Sequence, residues 1–126
     1  MLVDTDVLIW SLRGHSSAEE MLQSFGGFSL SAVSYMELVQ GLRDTREFLT
    51  LRQALRFWPA AVVALDADVS SRAVNLIEQH ALSDGLRLAD ALIAATAMAR
   101  GETLLTANRK HYAPISGLEL QVFKPM

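Results

Sequence analysis

Apolar residues occur along this chain in short blocks that end at polar residues, a pattern typical of alternating strands and helices. The first block, Met1 to Val3, predicts a buried strand. The apolar positions from Val7 to Leu12 then predict a helix that ends near Gly14. Comparable short blocks predict further strands at residues 28–30, 60–65, 103–106 and 118–123.

Longer amphipathic or apolar segments lie between these strands, and each begins near a residue that commonly caps a helix. Gly, Pro or a polar loop such as residues 83–85 follows several of them. The predicted helices run from Ser16 or Ser17 through Phe25, from Ser31 to about Gly41, from Thr45 to about Trp58, from Asp66 or Asp68 through His80, and over residues 86–100.

This alternation predicts an α/β fold, because parallel strands are joined by crossover helices. We expect a three-layer sandwich with a mainly parallel, roughly five-stranded central sheet, formed by residues 1–126 as a single domain. Ligand sites in such sheets lie at the carboxyl ends of the strands. Asp4 and the segment from Thr106 to Asn108 follow the first and fourth predicted strands, so we expect them at that edge.

Composition narrows the function classes. The formal charge of −3 argues against a surface that is basic overall. Nine of the eleven basic residues are arginines, however, so a local rim that binds phosphate is still compatible with the sequence. The absence of cysteine excludes disulfides and thiolate metal ligands. The longest nearly apolar stretch, residues 88–99, is too short for a membrane span, and no basic signal-peptide region precedes it, so we expect a cytoplasmic protein with no membrane partner.

Two carboxylates lie in apolar helical segments. Glu37 is the only charged residue in VSYMELVQGL and shares a helical face with Val33, so we expect it to be at least half buried. Asp90 is the only charged residue in LADALIAATAMA. A buried carboxylate must be paired, protonated or bound to a metal. A purely structural alternative pairs Asp90 with Arg87, three residues earlier on the same face.

Two further acids lie just after the first strand. Asp4 could serve either as a helix cap or in the chemistry of a site, because aspartate is a preferred cap residue. Asp6 is favoured in the first turn of the helix by the helix dipole. Taken together, Asp4, Glu37 and Asp90 are predicted to converge on one hard cation, Mg²⁺ or Mn²⁺, which prefers oxygen ligands. The three histidines form no zinc-like cluster in the sequence and are expected to be surface residues.

The segments VDTDVLIW, SAVSYMELVQG, LRLADALIAATA and LLTANRKHY resemble, in this order, the motifs of the PIN domain. The resemblance covers essentially the whole chain and is closest to the VapC-type ribonuclease toxins of bacterial toxin-antitoxin modules. It implies that Asp4, Glu37 and Asp90 are catalytic and bind metal. The fourth acidic position falls on Asn108, which can hold a metal-bound water but adds no charge. Thr106 and Asp6 are implied to have supporting roles.

The same resemblance implies an activity and its partners. One or two Mg²⁺ or Mn²⁺ ions would activate a water that hydrolyses RNA phosphodiesters, leaving a 5′-phosphate and a 3′-hydroxyl. Arg87, Arg109 and Lys110 are candidate RNA contacts. The implied partners are a cognate VapB-like antitoxin, operator DNA reached only through that antitoxin, and a second copy of the chain. Large apolar residues between Met36 and Trp58 are expected to form either core or a groove or dimer contact.

Three alternatives remain open at this point. DTDVL also resembles the first motif of haloacid dehalogenase-like phosphatases, but no lysine precedes a downstream pair of acids. A receiver-like module would use Asp66, Thr106 and Lys110, although the last two lie too close together to follow successive strands. Neither of these explains Glu37. A PIN-like module that binds a partner without catalysis is the third alternative, suggested by Asn108.

Overall fold

Strands and helices alternate along residues 1–125, the part of the chain that the computed structural model describes. The strands are β1 (Leu2–Val3), β2 (Phe28–Ser31), β3 (Ala60–Val63), β4 (Leu104–Thr106) and β5 (Leu120–Val122). The helices are α1 (Thr5–Leu12), α2 (Ser16–Ser24), α3 (Ala32–Gln40), α4 (Thr45–Phe57), α5 (Ala67–Asp84), α6 (Leu88–Arg100) and α7 (Arg109–Tyr112). No helix within the described range is long and apolar enough to cross a membrane.

The five strands form one sheet in the order β3-β2-β1-β4-β5, and every pairing is parallel. The predicted α/β fold with a parallel five-stranded sheet is therefore confirmed. The chain builds the sheet outward from β1 to β3 and then returns to the other side of β1 with β4. This reversal makes the boundary between β1 and β4 the topological switch point, where open α/β sheets bind their ligands. Asp4 and Ala107 directly follow these two strands.

Side chains that alternate along the strands fill two cores, one on each face of the sheet. Leu2 packs with residues of α5 and α6, such as Val69 and Ile93. Its neighbour Val3 packs on the opposite face with residues of α1, α2 and α4, such as Leu22. The sheet is thus the middle layer of a three-layer sandwich, with α6 as the buried helix that its apolar sequence predicts.

Several helix boundaries differ from the sequence predictions. His15, not Ser16 or Ser17, caps α2, because its imidazole accepts a hydrogen bond from the Ala18 N–H. Asp44, not Thr45, caps α4 by accepting from the Glu47 N–H. Asp66 is confirmed as the cap of α5, through a bond from the Val69 N–H.

Helix α5 continues to Asp84, four residues beyond the predicted end at His80. The imidazole of His80 lies 2.8 Å from the carboxylate of Asp84, which is one helical turn further along. Side-chain contacts at this spacing stabilise a helix. Gly85 ends it at a φ of 69°, a left-handed conformation that favours glycine. Helix α6 then begins at Leu88, two residues later than predicted, and the short helix α7 was not predicted.

The core on the Val3 face supports a prediction about stability. Leu30 of β2 is fully buried there, whereas Leu49 of α4 is 56% exposed. Leu30→Ala is expected to lower the free energy of unfolding by about 2 to 5 kcal/mol, because it removes buried apolar contacts and leaves a cavity. The matched change Leu49→Ala should cost less than about 0.5 kcal/mol. Urea denaturation measures both, and equal losses would contradict this assignment of the core.

Candidate active site

Asp4 lies at the carboxyl end of β1, where its side chain caps α1 and is only 6% exposed. Its Oδ1 accepts a hydrogen bond from the Thr5 N–H at 2.8 Å. Its Oδ2 accepts from the hydroxyls of Thr106 at 2.8 Å and Tyr112 at 3.0 Å. The residue is therefore a helix cap and also a buried carboxylate that is held in one orientation.

Burial raises the pKa of Asp4 to about 7, and the neighbouring Asp6 carboxylate adds to the increase. Hydrogen bonds from Thr106, Tyr112 and Thr5 act in the opposite direction but do not cancel the increase. Within residues 1–125, Asp4 forms no ion pair. A cation beside this carboxylate would favour the ionised form that burial disfavours.

Asp90 lies in the first turn of α6 and faces the same hydroxyl as Asp4. Its Oδ1 is 3.3 Å from the Tyr112 hydroxyl, and its Oδ2 is 3.2 Å from Nδ1 of His111. The alternative pairing with Arg87 is wrong, since Arg87 is exposed and makes no ion pair with Asp90 in the described structure. His111 is exposed, as expected, but it lies against Asp90.

Glu37 is exposed, so the prediction that it is at least half buried is wrong. It lies in the last turn of α3, whereas Val33, one turn earlier on the same face, packs into the core. The Oε1 of Glu37 nevertheless lies 2.7 Å from the hydroxyl of Thr5, which is 2.9 Å from the Ser34 hydroxyl. Because the Thr5 N–H also binds Asp4, this one residue links the carboxylates of Asp4 and Glu37.

Asp6 and Asn108 flank Thr106 at the same edge of the sheet. The Oδ2 of Asp6 accepts from the Ala107 N–H at 3.1 Å and lies 3.4 Å from the Thr106 hydroxyl. Burial raises the pKa of Asp6 above its ordinary value. The Asn108 N–H donates to the Thr106 hydroxyl at 3.0 Å, and the side-chain nitrogen of Asn108 is 3.1 Å from Nε2 of His111. Both residues therefore lie beside Thr106 at the carboxyl edge of the sheet.

Tyr112 is a component of this site that the sequence reasoning missed. It is fully buried at the end of α7, and its hydroxyl lies between the carboxylates of Asp4 and Asp90. Burial and these carboxylates raise its pKa far above the ordinary value, so the hydroxyl remains protonated and can donate a hydrogen bond. A buried tyrosine needs a partner for its hydroxyl, and its position at the end of LLTANRKHY was the available signal.

Carboxylate oxygens therefore gather at the switch point from three separate segments, those of Asp4, Glu37 and Asp90. Among residues 1–125, no three carboxylate or imidazole side chains are close enough together to form a ready-made metal site. Instead, Thr5 links Asp4 to Glu37 through its backbone N–H and its hydroxyl, and the Tyr112 hydroxyl links Asp4 to Asp90. The donor set still fits Mg²⁺ or Mn²⁺, because it offers several anionic oxygens and one buried carboxylate whose ionised form a cation would stabilise.

The hydroxyl of Tyr112 supports a second prediction. Tyr112→Phe keeps the buried ring but removes the donor that fixes Asp4 relative to Asp90. We expect Mn²⁺ affinity to fall by about 10- to 100-fold, the usual effect of losing a hydrogen bond that orients a metal ligand. Calorimetric titration measures this, with Tyr35→Phe on α3 as the matched control. Unchanged affinity in Tyr112→Phe would show that the hydroxyl does not position the carboxylates.

Fold and site together define a class of α/β protein with acidic side chains gathered at the carboxyl edge of a parallel sheet. The PIN domain model matches residues 1–114, and the chain belongs to the PIN domain family. Ribonuclease VapC10 from Mycobacterium tuberculosis is 36% identical to it over 118 residues, which cover 89% of this chain and 85% of that protein.

Two solved structures show the same fold over nearly the whole chain. A chain of the toxin-antitoxin complex from Klebsiella pneumoniae is 28% identical, with a TM-score of 0.76 and coverage of 99% of this chain and 97% of that one. A chain of VapBC2 from Rickettsia felis, bound to a DNA fragment from its promoter, is 20% identical, with a TM-score of 0.84 and coverage of 98% of each chain.

These comparisons confirm the family that the four sequence motifs resemble. The phosphatase and receiver alternatives are therefore wrong. The strand order also differs from the flavodoxin-like order 2-1-3-4-5 that receiver domains use. Asp66, which a receiver would use for chemistry, is an exposed cap of α5 beyond the edge strand β3.

Proposed function

We propose that this protein is a metal-dependent endoribonuclease and the toxin of a type II toxin-antitoxin module. The observation that carries the proposal is the gathering of Asp4, Glu37 and Asp90 at the switch point, linked through Thr5 and Tyr112. The 36% identity to Ribonuclease VapC10 over most of both chains supports the same activity here.

Asp4, Glu37 and Asp90 would hold Mg²⁺ or Mn²⁺, and Asn108 would contribute through a water. When bound, such an ion lowers the pKa of a water and offsets charge on a phosphate undergoing in-line displacement. The substrate is proposed to be an RNA phosphodiester, and the products carry a 5′-phosphate and a 3′-hydroxyl. No side-chain nucleophile is needed for this reaction.

The chain's own residues prepare the carboxylates for this role. Thr106 and the Thr5 N–H bind different oxygens of Asp4 and so fix the rotation of its carboxylate. The Tyr112 hydroxyl sets the position of Asp90 relative to Asp4. Thr5 restrains the exposed Glu37 at the opening of the site. Pre-oriented ligands reduce the reorganisation that binding and chemistry require.

Exposed basic residues at the rim are the proposed RNA contacts. Arg109 and Lys110 lie in α7 beside Asn108, and Arg87 immediately precedes α6. All three are exposed, so their charges can reach a phosphate without loss of a buried contact.

The proposed partner is a cognate VapB-like antitoxin, through which operator DNA would be bound. The similarity to a chain of a toxin-antitoxin complex supports this partner. A second copy of the chain is also proposed as a partner. Large apolar side chains support an interface, because Met36 of α3 is 51% exposed and Phe57 of α4 is 70% exposed, whereas Leu51, Leu55 and Trp58 are core residues.

Cleavage of RNA by the purified protein tests the proposed function. End-labelled single-stranded RNA is incubated with the protein and Mg²⁺ or Mn²⁺, with and without EDTA, and the product ends are analysed. We expect cleavage that EDTA abolishes and added Mn²⁺ restores, with 5′-phosphate products. Cleavage that persists in EDTA would contradict the mechanism. Absence of cleavage with either ion would favour the non-catalytic binding module.

A further inference from the structure

A groove with a volume of about 500 Å³ lies between α1, α3 and α4. Apolar side chains such as Ile9, Leu38 and Leu51 form its floor, and Thr50 lies at its side. Glu37 also lines the groove and accepts a hydrogen bond from the Thr5 hydroxyl, so the groove reaches one carboxylate of the proposed active site. Whatever occupies it therefore lies next to the position where RNA would be cleaved.

The charges along this groove are more basic than those of the chain as a whole, whose formal charge is −3. Arg43 binds Glu47 at 2.8 Å, so these two charges offset each other. Arg13 and Arg46 also line the groove, are exposed, and form no ion pair within residues 1–125. The remaining acid, Glu37, belongs to the proposed metal site, where a bound cation would offset its charge.

A series of contacts connects the groove to the rim. Glu37 at the groove contacts Thr5, Thr5 contacts Asp4, and Asp4 contacts Tyr112 at the end of α7. Arg13 and Arg46 line the groove at one end of this series, and the basic residues of α7 adjoin Tyr112 at the other end. A nucleic-acid strand that followed these contacts would meet positive charge at both ends.

We propose that this groove binds single-stranded RNA on one side of the scissile phosphate. Arg13 and Arg46 contact its phosphates, because a guanidinium group matches phosphate oxygens in geometry and charge. The aliphatic floor accepts the apolar faces of the bases, which are removed from water there. The inference rests on the proposed ribonuclease function. It adds a path for the RNA that includes residues outside the four sequence motifs.

Binding of a short fluorescein-labelled single-stranded RNA of mixed sequence, measured by fluorescence anisotropy, tests this path. The Asp4→Asn background prevents cleavage during the measurement. Adding Arg13→Gln and Arg46→Gln is expected to raise Kd and to reduce the slope of log Kd against log salt by about 1.4, since each lost phosphate contact reduces it by about 0.7. Arg56→Gln with Arg72→Gln is the control of equal charge, on α4 and α5 outside the groove.

Equal Kd values and salt slopes for the two double variants would overturn the proposed path. Failure of the ribonuclease function itself would give a different result, because wild-type protein would then not cleave RNA in the cleavage assay. If wild type cleaves RNA with Mn²⁺ and Arg13→Gln/Arg46→Gln cleaves it with the same KM, the function stands and the groove proposal is wrong.

A label inside the groove separates RNA from a polypeptide occupant. The chain has no cysteine, so Thr50→Cys provides a unique thiol for an environment-sensitive fluorophore. Saturating RNA is expected to change the emission of this label in the Asp4→Asn background. A label that responds to an added antitoxin but not to saturating RNA would show that the groove is a protein-docking surface and would overturn the proposal.

Discussion

Asp4→Asn is expected to lower the rate of metal-dependent RNA cleavage by at least about 10²- to 10³-fold, the scale of losing one strong electrostatic contact to a transition state. Asparagine keeps the shape of the side chain and one acceptor oxygen, but it removes the charge and a potential ligand oxygen. Asp4 is the most central of the three carboxylates, because it touches both Thr5 and Tyr112. Glu37→Gln and Asp90→Asn should cause losses of the same order.

A matched control is available on the surface of α5, where Glu78 is exposed and lies outside the site. Glu78→Gln removes the same charge as Glu37→Gln and should leave the cleavage rate unchanged. Circular dichroism verifies that each variant is folded. If folded Asp4→Asn cleaved RNA at the wild-type rate, the gathered carboxylates would be structural.

The free energy of unfolding measured in EDTA is expected to fall as pH rises from about 4 to 7. Asp4 has an ordinary pKa of 3.8 and a folded-state pKa of about 7, so the folded protein holds a proton in this range that the unfolded chain has released. Raising the pH therefore favours unfolding, and the contribution levels off above the folded-state pKa. Its upper limit is about 4 kcal/mol.

Asp4→Asn isolates this contribution from other titrating groups. The variant should match wild type near pH 4 and be more stable above pH 7, on the order of a few kcal/mol, because it buries no charge. Urea denaturation at a series of pH values measures the difference. Saturating Mn²⁺ should restore stability to wild type at high pH, since a ligand of the folded state stabilises it. Parallel pH profiles for the two proteins would contradict the role assigned to buried Asp4.

The sheet edge was predictable because apolar blocks mark parallel strands, and the residue after each strand must then lie at the same edge. This reasoning correctly located Asp4 and Thr106. The burial of Glu37 was not predictable in the same way. Periodicity places it on the face of Val33, but it does not reveal that the last turn of α3 reaches the opening of the site.

Neither the role of Tyr112 nor the contact of Asp90 with His111 was predicted from the sequence. Helix α7 spans only four residues, too few for a periodic pattern to appear. The contact between Asp90 and His111 joins residues far apart in the chain, whereas Arg87 was the nearest local candidate. Such long-range polar contacts depend on how α6 packs beside α7, which local pattern does not encode.

Anomalous diffraction from crystals soaked in Mn²⁺ tests most directly whether the gathered carboxylates form one metal site. The expected result is an anomalous peak at the carboxyl ends of β1 and β4, within ligand distance of Asp4 and Asp90, and bound to Glu37 directly or through water. Asp4→Asn crystals under the same conditions should lack the peak. A Mn²⁺ ion bound elsewhere in both proteins, with the edge of the sheet unchanged, would contradict the proposed site.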